Sequence, residues 1–117
     1  MDKLITAEQA AQLIRSNSTL ATGGFIGIGF AETLAKAVEK RFLDTGEPAD
    51  LSLVYAAGQG DAKERGLNHF GHQGMVRKVI GGHWGLAPKL GEMAINNEIE
   101  AYNLPQGVIC HLYREIA

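Results

Sequence analysis

The sequence predicts an α/β fold, a mostly parallel sheet with helices flanking it on both faces. Short apolar runs alternate along the chain with stripes of helical period. Strands separated by helices of about ten residues imply right-handed crossovers and parallel pairing. Each of the four strand-like runs also ends in a glycine-bearing segment: Gly23-Gly24-Phe25, Ala57-Gly58-Gln59-Gly60, Gly81-Gly82-His83-Trp84-Gly85 and Leu104-Pro105-Gln106-Gly107. Glycine supplies 15 of 117 residues, about twice its roughly 7% usual share. The glycines cluster between apolar segments, where backbone must turn sharply or a ligand must come close.

The elements follow in order. Thr6-Ala7-Glu8-Gln9 matches a capping box, with Thr6 as the N-cap. Ala7, Ala10, Ala11 and Ile14 form a helical stripe that Ser16-Asn17-Ser18 ends. Thr19 to Thr22 reads as a short strand broken by Gly23-Gly24-Phe25. Ala31, Leu34, Ala35, Val38 and Phe42 repeat with helical period, and Asp44-Thr45-Gly46-Glu47-Pro48 breaks that helix. Leu51 to Tyr55 is the second strand. Asp61 to Phe70 is polar and reads as an irregular loop with one helical turn. Met75 to Ile80 is the third strand. Ala87, Leu90, Gly91 and Ala94 mark a helix closed by Asn96-Asn97. Ile99 to Asn103 is the fourth strand, and Ile109, Leu112, Tyr113 and Ile116 mark a last helix. That helix has no glycine cap, and its apolar face runs to the final residues. The fold is therefore expected to be incomplete, a single domain over residues 1–117 that reads as truncated.

Composition excludes several classes. A net charge of −2 with mixed signs lacks the basic stripe of a nucleic-acid binder. One cysteine, Cys110, allows no internal disulfide and fits a reducing, cytoplasmic setting. The polar amphipathic opening MDKLITAEQAAQLI is not a signal peptide. No apolar run approaches the roughly 20 residues that span a bilayer, so no membrane role is expected.

The motifs narrow the chemistry. Gly27-Ile28-Gly29 is followed by Phe30, Ala31 and Glu32, so the third glycine of a dinucleotide fingerprint is missing. Neither a phosphate-binding G-x-x-x-x-G-K-[ST] loop nor a G-x-S-x-G nucleophile elbow occurs. His69 and His72 are three apart, but no further ligand sits at metal spacing, so no metal is expected. His83 reads as a hydrogen-bonded histidine beside Trp84. Cys110 and His111 are neighbours, about 100° apart on a helix, and so form no ready dyad. Gln106 is the most informative residue. Pro105 fixes its approach and Gly107 lets the backbone turn into a helix. An amide donor beside helix N–H groups suits a carbonyl oxygen or carboxylate. A glutamine that merely caps the helix is the alternative.

GGFIGIGFAETLAKAVEKRF, LVYAAGQGD, GLNHF, VIGGHWGLAPKL and EAYNLPQGV together resemble the N-terminal part of the family I coenzyme A transferases, of the single-chain acetate/propionate type. The resemblance runs from about Thr19 to the end. It implies two similar α/β halves, fused or as separate subunits, that move coenzyme A from an acyl-CoA to a short-chain carboxylate. It implies a glutamate that forms an acyl-glutamyl anhydride and then a glutamyl-CoA thioester. That glutamate belongs to the second half, and no segment here matches its motif. Glu32, within the shared glycine-rich segment, reads as structural. Carried over, Gln106 would contact the carbonyl oxygen. Gly23, Gly24, Phe25, Gly58, Gln59, Gly60 and Gly107 would line the same pocket. Acyl-CoA and the carboxylate enter as substrates, with no permanently bound cofactor. The partner would be the missing C-terminal half or a β-type subunit, within a homo-oligomer of the full enzyme. An acyl-CoA hydrolase and a stand-alone small-molecule binding module are the competing functions. The first is distinguished by release of free coenzyme A without an acid acceptor, the second by binding without a partner.

Overall fold

The computed structural model describes residues 2–117. Helix α1 (Ala7–Ala11) leads to strand β1 (Thr19–Ala21) and helix α2 (Glu32–Thr45). Strand β2 (Leu51–Tyr55), a 3-10 turn (Leu67–Phe70) and strand β3 (Val76–Gly81) follow. Helix α3 (Pro88–Ile95), strand β4 (Glu100–Asn103) and helix α4 (Gln106–Ile116) complete the order. The four strands form one sheet in the order β1-β2-β3-β4, and every neighbouring pair is parallel. The α/β reading is therefore correct.

The sequential strand order decides where the helices go. Contacts join α1 to α2, α2 to the 3-10 turn, and the turn to α3. These crossover elements thus share one face. Leu51, Leu53 and Tyr55 of β2 project into it and meet Val76 and Val79 of β3, Ala35 and Val38 of α2, and Leu90 and Met93 of α3. Each large aliphatic chain buried there contributes about 1.5–3 kcal/mol. Val54 alternates to the opposite face. There α4 lies across the sheet, with Ile109 fully buried and the Tyr113 hydroxyl donating to the Val54 carbonyl at 3.4 Å.

Local chemistry explains the ends of the elements. The capping box is formed: the Gln9 backbone N–H donates to Thr6 Oγ1 at 3.1 Å, and the Thr6 backbone N–H donates to Gln9 Oε1 at 2.9 Å. Helix α1 is shorter than its apolar stripe suggests. Arg41 of α2 donates to the carbonyls of Ala11 (2.9 Å) and Ile14 (2.6 Å), satisfying groups a longer helix would have paired. Gly46, at φ 80°, closes α2. Gly81 stands where the Tyr55 ring passes: a Cβ there would lie 2.4 Å from Tyr55 Cζ. The Tyr55 hydroxyl is buried without a hydrogen-bond partner among the described residues, and burial pushes its ionisation well above the ordinary value. No helix among the described residues is long and apolar enough to cross a membrane.

Candidate active-site edge

Because all four strands run in parallel, their carboxyl ends lie at one edge of the sheet. The segments after β1, β2, β3 and β4 therefore leave from the same side, where ligands bind in open α/β sheets. Gly82 draws two of them together. A Cβ on it would fall 2.0 Å from the Ala56 carbonyl oxygen and 3.4 Å from the Gln106 Cα. The Gly82 N–H donates to the Tyr55 carbonyl at 3.2 Å, and the Leu104 N–H to the Gly81 carbonyl at 3.1 Å. Gln106 is the first residue of α4 and is exposed, as is Gly107. Pro105 precedes them at φ −54°, and no side chain among the described residues caps the first turn. The first N–H groups of α4 lack helical partners.

The glycine-rich segment after β1 folds back in a two-residue turn. Phe25 and Ile28 exchange N–H···O bonds of 2.9 Å in both directions. Ile26, at φ 61°, occupies a conformation that costs a β-branched residue on the order of 1–3 kcal/mol. It is held there by the β2 end: Ile26 N–H donates to Gly58 O, and Gly60 N–H to Ile26 O, both at 2.8 Å. Gly24, at φ 126°, sits where a Cβ would be 2.9 Å from Ile28 O. Gly23 and Phe25 are exposed, with Phe25 58% accessible.

Gln59 is placed differently from its neighbours. It is buried, and both ends of its amide are engaged with the end of β1. Thr22 Oγ1 donates to Gln59 Oε1 at 2.6 Å, and Gln59 Nε2 donates to the Thr22 carbonyl at 3.3 Å. Gly58 packs beneath His83, whose Cγ would lie 3.2 Å from an added Cβ. His83 is exposed, and its Nδ1 accepts the Gly85 N–H at 3.2 Å. That bond assigns the ring proton of the neutral form to Nε2. The sequence predicts a hydrogen-bonded His83 beside Trp84, but not which partner it takes. Gly58 and Gly85 both lie against its ring.

His69 and His72 meet carboxylates of α2. His69 Nε2 contacts Glu32, His69 Nδ1 lies 3.1 Å from Glu39 Oε1, and His72 Nε2 lies 2.7 Å from Glu39 Oε2. Glu32 also accepts the Gly66 N–H at 3.2 Å. Burial raises Glu39, but hydrogen bonds from His72 and His69 outweigh it and hold the carboxyl below its ordinary value. No group of three residues suited to a metal occurs among the described residues.

Comparison with known proteins agrees with this fold. The sequence model of the Coenzyme A transferase family matches residues 4–115. The chain is 37% identical to the caffeate CoA-transferase of Acetobacterium woodii, over 100% of this chain and 22% of that protein. It is 33% identical to the acetate CoA-transferase subunit alpha of Escherichia coli K12, over 96% of this chain and 48% of the subunit. The acyl-CoA transferase YdiF of E. coli O157:H7, solved as a thioester complex with CoA, superposes with a TM-score of 0.87. That match has 36% identity and covers 89% of this chain and 22% of YdiF. The chain thus spans about a fifth of the length of the single-chain relatives. With the family matched along almost its whole length and the fold shared, the chain belongs to the coenzyme A transferase family.

Proposed function

We propose that this chain supplies one wall of the acyl site of an enzyme that transfers coenzyme A from an acyl-CoA to a short-chain carboxylate. The observation that carries the reading is the convergence of four strand ends on one edge, with Gln106 exposed where Gly82 admits it against Ala56. A glutamate outside this chain attacks the thioester carbonyl. The C–S bond breaks, and the thiolate of coenzyme A leaves an acyl-glutamyl anhydride. The thiolate then attacks the glutamyl carbonyl and expels the acyl group as a carboxylate. An incoming carboxylate reverses these steps with its own acyl group.

Each attack develops negative charge on a carbonyl oxygen. The Gln106 amide and the free N–H groups of α4 are donors aimed at that charge. His83 Nε2–H is a further donor on the same edge. Gly23, Gly24 and Phe25 form the wall after β1, and Gly58 and Gly60 let the backbone come close. Gln59 joins β1 to β2 through Thr22, which fixes the relative position of two of these segments. The partner is the remaining half or a β-type subunit, in a homo-oligomeric, cytoplasmic enzyme, with coenzyme A entering only as a thioester.

The isolated 117-residue chain is expected to exchange no isotopic label between acetate and acetyl-CoA. Turnover by the chain alone would overturn the argument that the nucleophile lies elsewhere. Release of free coenzyme A without an acid acceptor, once the remaining half is present, would favour hydrolysis over transfer.

A further inference from the structure

Backbone groups from two strand-end segments converge on one buried amide. Asn68, in the turn Leu67–Phe70, is fully buried. Its Nδ2 donates to the Arg65 carbonyl at 3.0 Å and to the Leu86 carbonyl at 2.9 Å. Its Oδ1 accepts the Lys89 N–H at 3.4 Å. The carbonyls only accept and the N–H only donates, which fixes the orientation of the amide. Arg65 follows β2, whereas Leu86 follows β3 and Lys89 opens α3. We propose that Asn68 is a positioning residue: its amide pins the loop 83–86 over Gly58 and Gly60, and so holds the His83 ring at the strand-end edge. Its part in the reaction rests on His83 being a donor there; the pin itself does not.

The turn that carries Asn68 is anchored on the β2 end, because the Leu67 N–H donates to the Gln59 carbonyl at 3.1 Å. The Leu86 carbonyl takes a second donor, the Ala62 N–H at 3.0 Å. Gly60 makes room for that oxygen, which a Cβ on Gly60 would meet at 2.3 Å. Gly58 makes room for the side chains above it: a Cβ there would lie 3.2 Å from His83 Cγ and 3.3 Å from Leu86 Cδ1. The bond to the His83 ring comes from Gly85, within its own loop. The place of the ring over β2 is therefore set by what holds the loop backbone. Gly82 ties the near end to the Tyr55 carbonyl, and Asn68 secures the far end. Aspartate has the same shape but brings no donor, and it would set a buried carboxylate against two carbonyl oxygens.

The wild-type chain gives the first test. Both Asn68 side-chain amide protons should exchange with solvent far more slowly than those of the exposed Asn96 and Asn97. An NOE should join the Gly58 α-protons to the His83 β-protons. Asn68→Asp should lose that NOE while the β2–β3 ladder stays paired. The exchange measurement needs no variant, so it decides even where Asn68→Asp does not fold. In an assembled enzyme carrying this chain, Asn68→Asp should lower kcat roughly tenfold with KM little changed, as a displaced donor does. Because Asn68 acts through His83, adding it to His83→Ala should cause no further loss. Asn68 protons that exchange as fast as those of Asn96, an NOE that survives in Asn68→Asp, or a double variant slower than His83→Ala would each overturn the proposal. Full rate in His83→Ala would overturn only the reading of His83 as a donor, and the exchange and NOE measurements would then decide the pin.

Discussion

Gln106→Ala, made in an assembled enzyme carrying this chain, is expected to lower kcat roughly 100-fold while leaving the fold intact. Removing one donor to a developing oxyanion costs about 3 kcal/mol at the transition state. The loss should fall on kcat more than on KM, because the contact strengthens only as charge develops. The fold should survive because Gln106 is exposed. Gln106→Glu should be worse near neutral pH, since a carboxylate repels both the developing charge and the acid substrate. The measurement is steady-state exchange between acyl-CoA and carboxylate, with circular dichroism as the control. An unchanged rate in Gln106→Ala would leave Gln106 with no role beyond beginning α4.

Gly82→Ala should have the largest effect on stability, about 3 kcal/mol. The new methyl carbon would fall 2.0 Å from the Ala56 carbonyl oxygen. That oxygen is backbone and cannot rotate away, so the β2 end and the Gln106 segment must move apart. The control is Gly107→Ala, where the added carbon meets nothing within 4 Å beyond its chain neighbours and the backbone of its own helix. That change should be neutral or stabilise by up to about 1 kcal/mol, because alanine favours helix over glycine. Urea denaturation separates the two. Equal midpoints would mean that the approach at Gly82 is not tight in solution.

Much of the fold was legible because its signals are local. The Thr6–Gln9 capping box, the 3.6-residue stripe of α2 and the glycine and proline breaks each need only a few neighbouring residues. Parallel pairing followed from alternation of strands and helices, and with it the single edge that gathers the glycine segments. What was hidden depends on residues far apart in the chain. The Thr22–Gln59 pair spans 37 positions, as does the Glu32–His69 contact. Gln59 illustrates the limit: the resemblance sets it in the pocket lining, but the bonds of its buried side-chain amide to Thr22 are not readable from any local pattern. Arg41 likewise satisfies carbonyls that end α1, a contact across 27 and 30 positions that no local pattern carries. Glu32 was legible as structural, but not the histidine that holds it.

The most direct test of the central claim, that these strand ends form one wall of a coenzyme A transfer site completed by another part of the enzyme, is a graft. Residues 1–117 would replace the matching part of the E. coli O157:H7 acyl-CoA transferase YdiF, which is 36% identical over the aligned region. Transfer of coenzyme A from acetyl-CoA to labelled carboxylate would then be measured. A folded graft that performs the transfer, with its thioester adduct on a glutamate outside residues 1–117, is the expected result. A folded graft that performs none, or an adduct on a glutamate within those residues, would contradict the account.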